Sequence, residues 1–156
     1  MAHRPYVAVV GPGEATAEET RAAEAIGRGL ADRGAIVVCG GLSGVMAAAC
    51  HGACAAAGVT VGFLPGTDRA SANEWVQIAL PTGVGELRNG LIIRAADAVI
   101  AVGGAYGTLS EIALALRTGV PVIGLKTWDV EGVEQVGCAA DAVDRALRSA
   151  AGRDPS

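Results

Sequence analysis

One short stretch of this 156-residue chain sets anion-binding and acid–base groups side by side: Gly103-Gly104-Ala105-Tyr106-Gly107-Thr108-Leu109-Ser110-Glu111. An apolar run over 98–102 precedes it. Leu109, Ile112, Ala113 and Leu116 follow at helical spacing. The pattern predicts strand, tight glycine turn and helix start. Such a turn exposes backbone N–H groups at the positive end of a helix, which suits an anionic ligand. The amides of Gly104, Gly107 and Thr108, with the Thr108 hydroxyl, form a candidate phosphate cradle. Gly103 and Tyr106 belong to the same turn. Glu111 has two readings. Thr108-Leu109-Ser110-Glu111 matches a capping box worth ~1 kcal/mol, and the same carboxylate at a ligand site could do acid–base work.

Two more glycine clusters follow apolar runs. Gly11-Pro12-Gly13 comes after 6–10, and Gly40-Gly41-Leu42-Ser43-Gly44 after 35–39. Gly11, Gly13, Gly41 and Gly44 would let a ligand approach the backbone, and Ser43 offers a hydroxyl. Walker A is absent, because no glycine precedes a lysine, and G-x-G-x-x-G fails because Thr16 stands where the third glycine should be. A standard ATPase or dehydrogenase is therefore not expected.

The elements that must position these loops can be read in order. Strands are predicted over 6–10, 35–39, 59–64, 76–80, 98–102 and 120–125. Helices are predicted from Thr16, through the capping box Thr16-Ala17-Glu18-Glu19, to about Asp32, then over 45–57, 84–96, 108–117 and 139–150. On the first helix Ala22, Ala23, Ile26 and Leu30 face inward. On 84–96 the apolar stripe is Leu87, Leu91, Ile92 and Ala95, which leaves Arg88 and Arg94 off its centre. The alanine-rich helix 45–57 allows close approach to the sheet or to a partner subunit. Strands alternating with helices imply a single-domain, Rossmann-like α/β fold with a doubly wound parallel sheet over residues 1–150, and a frayed tail over 151–156. All three glycine loops follow strands, so all three should gather at the carboxyl edge, where such sheets bind ligands. The long polar connection 65–74 is either a lid, with Arg69 and Asn73 closing over a ligand, or an idle surface loop.

Composition removes several function classes. Hydrophobic residues make up 51% of the chain, yet no run reaches the ~18 residues of a membrane span. The first apolar run is too short for a signal peptide, so a cytoplasmic location is expected. A net charge of −4 argues against nucleic acid as a partner. The four cysteines, at 39, 50, 54 and 138, lack the paired spacing of a metal site and read as small apolar residues. A pyridoxal phosphate enzyme would have to use the one lysine, Lys126, which has no surrounding cofactor pattern; no PLP is expected.

The Gly103–Glu111 stretch resembles the PGGxGTxxE signature of the Lonely Guy (LOG) family, long labelled lysine decarboxylases. Gly40-Gly41-Leu42-Ser43-Gly44-Val45-Met46 resembles that family's second loop. Arg88, 23 residues before Glu111, falls at the place of its second active-site residue. The molybdenum cofactor carrier branch is more similar still, in Gly11-Pro12-Gly13-Glu14-Ala15, Leu64-Pro65-Gly66, Pro81-Thr82-Gly83-Val84-Gly85 and Glu111-Ile112-Ala113-Leu114-Ala115-Leu116. Resemblance to that branch implies a homo-oligomer, dimer or tetramer, that carries the phosphate-bearing pterin of molybdenum cofactor as cargo. Resemblance to LOG enzymes implies instead a phosphoribohydrolase that releases free base and ribose 5-phosphate from AMP or cytokinin riboside monophosphates. In that case Glu111 would act at the anomeric carbon and Arg88 would hold the ribose or phosphate. The chain departs from the enzymes at Gly103 (proline in LOG), Ala105 (glycine), Asn89 (lysine) and Gly85-Glu86 (Met-His).

Overall fold

The computed structural model describes residues 3–153. Seven parallel strands form one sheet: β1 (Tyr6–Val10), β2 (Ile36–Cys39), β3 (Val59–Leu64), β4 (Ile78–Pro81), β5 (Ala98–Val102), β6 (Val122–Leu125) and β7 (Glu134–Val136). Their order is β4-β3-β2-β1-β5-β6-β7. Five helices flank it: α1 (Ala17–Asp32), α2 (Val45–Ala55), α3 (Arg88–Ala95), α4 (Tyr106–Arg117) and α5 (Ala139–Ala151). This is the doubly wound, Rossmann-like α/β sheet that the alternating pattern predicts. The winding reverses between β1 and β5, which pair directly, Val7 opposite Ala98 and Val10 opposite Ala101.

The alternation along each strand divides the core. Val7 and Val9 pack with Ile26, Leu30 and Val143 beneath α1, α2 and α5, while Ala8 and Val10 pack with Ile92, Ile93 and Ile112 beneath α3 and α4. Both faces of the central strands are covered, so their sequences are apolar throughout. The capping box at the start of α1 forms as expected, with Thr16 Oγ1 accepting from Glu19 N at 3.1 Å and Glu19 Oε1 accepting from Thr16 N at 2.9 Å. The small residues of α2 serve its crossing with α1. A Cβ on Gly27 would lie 1.9 Å from Ala49 O, and one on Gly52 would lie 1.9 Å from Glu24 O.

Four expectations need correction. The polar segment after Val130 contains a seventh strand, β7, too short and too exposed to carry an apolar signature. The fourth strand begins at Ile78 rather than at 76. The helix expected over 84–96 is broken. Gly85–Leu87 forms a 3₁₀ turn, and α3 begins only at Arg88. That turn shifts the phase of the stripe. Leu87 and Leu91 are exposed, while Arg88, Ile92 and Ile93 are buried. The fourth correction, to the start of α4, concerns the site directly. Of the expected tail, residues 154–156 lie outside the described residues.

Candidate functional site

A cleft of about 710 Å³ opens at the carboxyl edge of the sheet, where the winding reverses. Its floor is the end of β1 with Gly11, Pro12 and Gly13. One wall is Gly40 and Met46, a second is the turn entering α3, and the third is the first two turns of α4. Position and volume are those of a small-molecule site in an open α/β sheet.

The start of α4 differs from the sequence expectation. Ala105 is the N-cap, and no side chain caps the helix. The first helical bond runs from Leu109 N to Ala105 O at 3.0 Å. Thr108 is thus the third helical residue, not a cap, and Glu111 closes no capping box with it. Three features force the early start. Gly103 turns the chain at φ +72, where a Cβ would lie 1.9 Å from Glu19 Oε2. Thr127 Oγ1 donates to Gly103 O at 2.6 Å, and Trp128 Nε1 donates to Ala105 O at 3.0 Å. The amides of Tyr106, Gly107 and Thr108 are left without intrahelical partners at the positive end of the helix dipole.

Thr108 is buried, and its Oγ1 is fully enclosed with no hydrogen-bond partner. One turn later Glu111 is 8% exposed. Burial pushes its carboxyl up to about 7, against the opposing pull of the Arg88 guanidinium. Arg88, also 8% exposed, is held from behind. Its Nε donates to Phe63 O at 2.9 Å and its Nη1 to Asn89 Oδ1 at 2.6 Å. Asn89, where LOG enzymes have lysine, thus braces the arginine without adding charge. Gly40 lies beneath it, and a Cβ there would be 2.8 Å from Arg88 Nη2, so the guanidinium would have to shift.

The cleft brings together Gly11, Gly13, Arg88, Tyr106, Gly107, Thr108 and Glu111 among the candidate residues. Gly41, Ser43, Gly44, Gly103 and Gly104 are not on its lining. Ser43 Oγ donates to Gly13 O at 2.8 Å, and Val45 N donates to Pro12 O at 3.1 Å. Gly44, at φ +69, lets the second loop sit against the first, because a Cβ there would lie 2.2 Å from Pro12 O. These residues position the floor. Asn73 anchors the 65–74 connection to the same loop, accepting from Trp75 N and donating to Leu42 O at 2.8 Å. Neither Asn73 nor Arg69 lines the cleft. The sequence pattern places Leu87 in an apolar stripe and Met46 at the end of the second glycine loop, and it assigns neither of them, nor Trp128, to the site. Trp128 carried one signal, being among the few aromatics of the chain.

Elsewhere, Cys39 and Cys50 pair through their thiols at 3.5 Å in the core, where the Cys39 contact and burial push the Cys50 thiol up. Among the described residues, no cluster of three or more His, Cys, Asp or Glu side chains is placed to hold a metal ion. No described helix is long and apolar enough to cross a membrane.

The switch-point cleft, its uncapped helix start and the doubly wound sheet define a Rossmann-like protein. More narrowly, the chain belongs to the SLOG cluster4 family, whose model matches residues 4–150. An uncharacterized protein of Archaeoglobus fulgidus is 38% identical over 144 residues, spanning 92% of this chain and 95% of its own length. The molybdenum cofactor binding protein of Rippkaea orientalis superposes with a TM-score of 0.89 at 34% identity, over 96% of this chain and 98% of that one. The molybdenum cofactor carrier protein of Chlamydomonas reinhardtii superposes with a TM-score of 0.88 at 32% identity, over 96% and 99% of the two chains.

Proposed function

We propose that this chain binds a phosphate-bearing, nucleotide-like molecule in the β1/β5 cleft and serves as a carrier of molybdenum cofactor, held through its phosphate and pterin. The observation that carries the reading is the enclosed Thr108 hydroxyl without a partner, set among the free amides of the α4 start. Leaving such a group unpaired costs about 1–3 kcal/mol, which a bound acceptor would recover. Phosphate oxygens are acceptors only, and they match hydroxyl, amides and the nearby Arg88 guanidinium. The similarity to cofactor carriers over nearly the whole chain supports the pterin as cargo. Assembly into a dimer or tetramer and a cytoplasmic location are part of this reading.

One observation favours a second reading, the phosphoribohydrolase. A carboxyl held near 7 beside an arginine is poised to give up a proton at physiological pH. In that reaction water adds at the anomeric carbon and the N-glycosidic bond breaks. Glu111 protonates the departing base and recovers the proton from the water. The products are free base and ribose 5-phosphate.

The test incubates the purified protein with molybdenum cofactor, AMP and a cytokinin riboside monophosphate in parallel. The carrier reading expects saturable cofactor binding and no free base. Base release that disappears in Glu111→Ala establishes the enzyme. Absence of cofactor binding refutes the carrier.

A further inference from the structure

Two side chains stand apart from every other large hydrophobic residue described here. Tyr106 is 84% exposed and Leu87 is 81% exposed, while the next value is 47%, at Ile78. Both line the mouth of the β1/β5 cleft, Tyr106 at the first position of α4 and Leu87 in the turn before α3. Together they give the cleft an apolar rim.

Tyr106 also has an aromatic neighbour. Its ring stacks on Trp128, with centroids 6.0 Å apart and planes at 26°. Trp128 is in turn tied to the N-cap of α4 by its bond to Ala105 O. Trp128 does not line the cleft, so the pair is a two-layer aromatic platform with Tyr106 as the layer facing the ligand space. The walls below carry polar groups, the free amides of the α4 start and the Arg88 side chain. The volume of about 710 Å³ is that of a pocket for a molecule of nucleotide size rather than a lone phosphate.

The geometry points to a specificity subsite at the cleft mouth, in which a planar heterocycle stacks on Tyr106 and is covered on its other face by Leu87. This rests on the phosphate-cradle reading above and assigns the residues that take the ligand's far end, a flat π-system such as a pterin or purine.

The experiment uses a Trp75→Phe background, which leaves Trp128 as the reporting indole, and measures fluorescence and equilibrium binding of three probes: a phosphorylated pterin, AMP and ribose 5-phosphate. Tyr106→Ala is expected to weaken the two ring-bearing probes by about tenfold to a hundredfold. It should leave ribose 5-phosphate unchanged, and Tyr106→Phe should retain the wild-type order. Leu87→Asp should weaken the same two probes. An equal loss of all three in Tyr106→Ala would make Tyr106 only a support for the helix start and overturns the subsite. So does an unchanged affinity for the ring-bearing probes. If ribose 5-phosphate binds but the rings add nothing, the cradle stands and the subsite falls. If no probe binds the wild type, the cradle falls with it.

Discussion

Replacing Glu111 by glutamine removes a charge that the fold does not accommodate. Glu111 is 8% exposed, and burial displaces its carboxyl from an ordinary value of 4.5 to about 7. That displacement corresponds to about 3 kcal/mol of penalty on the ionised form. Below pH 4.5 both folded and unfolded chains hold the proton, and no penalty applies. Between 4.5 and 7 the unfolded chain releases the proton while the folded chain keeps it, so stability falls as pH rises, by about 1.4 kcal/mol per pH unit. Above 7 the full penalty is present. Glutamine is neutral throughout and nearly isosteric, so Glu111→Gln should match wild type near pH 4 and exceed it by about 3 kcal/mol near pH 8.5. Urea unfolding of both proteins across this range measures the effect. Any cost of fitting the amide is independent of pH and cancels when the two ends are compared. A gap between variant and wild type that is the same at pH 4.5 and pH 8.5 would refute the reasoning. A stabilised variant that had also lost ligand or turnover would show the carboxyl to be kept for function at the expense of stability.

Two further outcomes follow from the same geometry. Thr108→Val removes the unpartnered hydroxyl for a methyl of similar shape; stability should be unchanged or higher by ~1 kcal/mol, while phosphate affinity drops about tenfold, read by calorimetric titration. Gly27→Ala ought to gain ~1 kcal/mol on helix propensity alone, yet its Cβ would lie 1.9 Å from Ala49 O, so a net loss of about 2 kcal/mol is expected in chemical denaturation.

The elements legible in the sequence were those whose signal is local and periodic. Apolar runs such as 98–102 are buried on both faces, and the Thr16–Glu19 box lies where its pattern says. β7 had no such signal, because an edge strand of three residues borrows its hydrogen bonds from β6 and buries little. Arg88 shows a different failure. Helical phase counted from Val84 turns it off the apolar face, but the 3₁₀ turn at Gly85–Leu87 resets the count and buries it over Gly40. Asn73 was weighed as a residue that closes on ligand, and only the tertiary fold shows it bonded to Leu42 O.

The start of α4 shows why the candidate site was only half legible. Thr-x-x-Glu satisfies two incompatible patterns, a helix cap and a pair of cleft residues, and the choice depends on where the helix begins. If Thr108 were the cap, its hydroxyl would accept from Glu111 N, and the carboxylate would fold back toward solvent. Neither group could then face a ligand. Residues distant in sequence decide the matter. Glu19 occupies the space above Gly103, and Thr127 and Trp128 hold the carbonyls of Gly103 and Ala105. Together they start the helix at Tyr106, three residues before a cap at Thr108 would have done. Thr108 and Glu111 then share one buried face at helical spacing, and both residues line the cleft. The hydroxyl that would have satisfied the helix is left enclosed without a partner, and the carboxyl that would have been solvated is desolvated. A three-residue shift in helix start thus replaces a stabilising cap with two buried polar groups on the lining of the cleft.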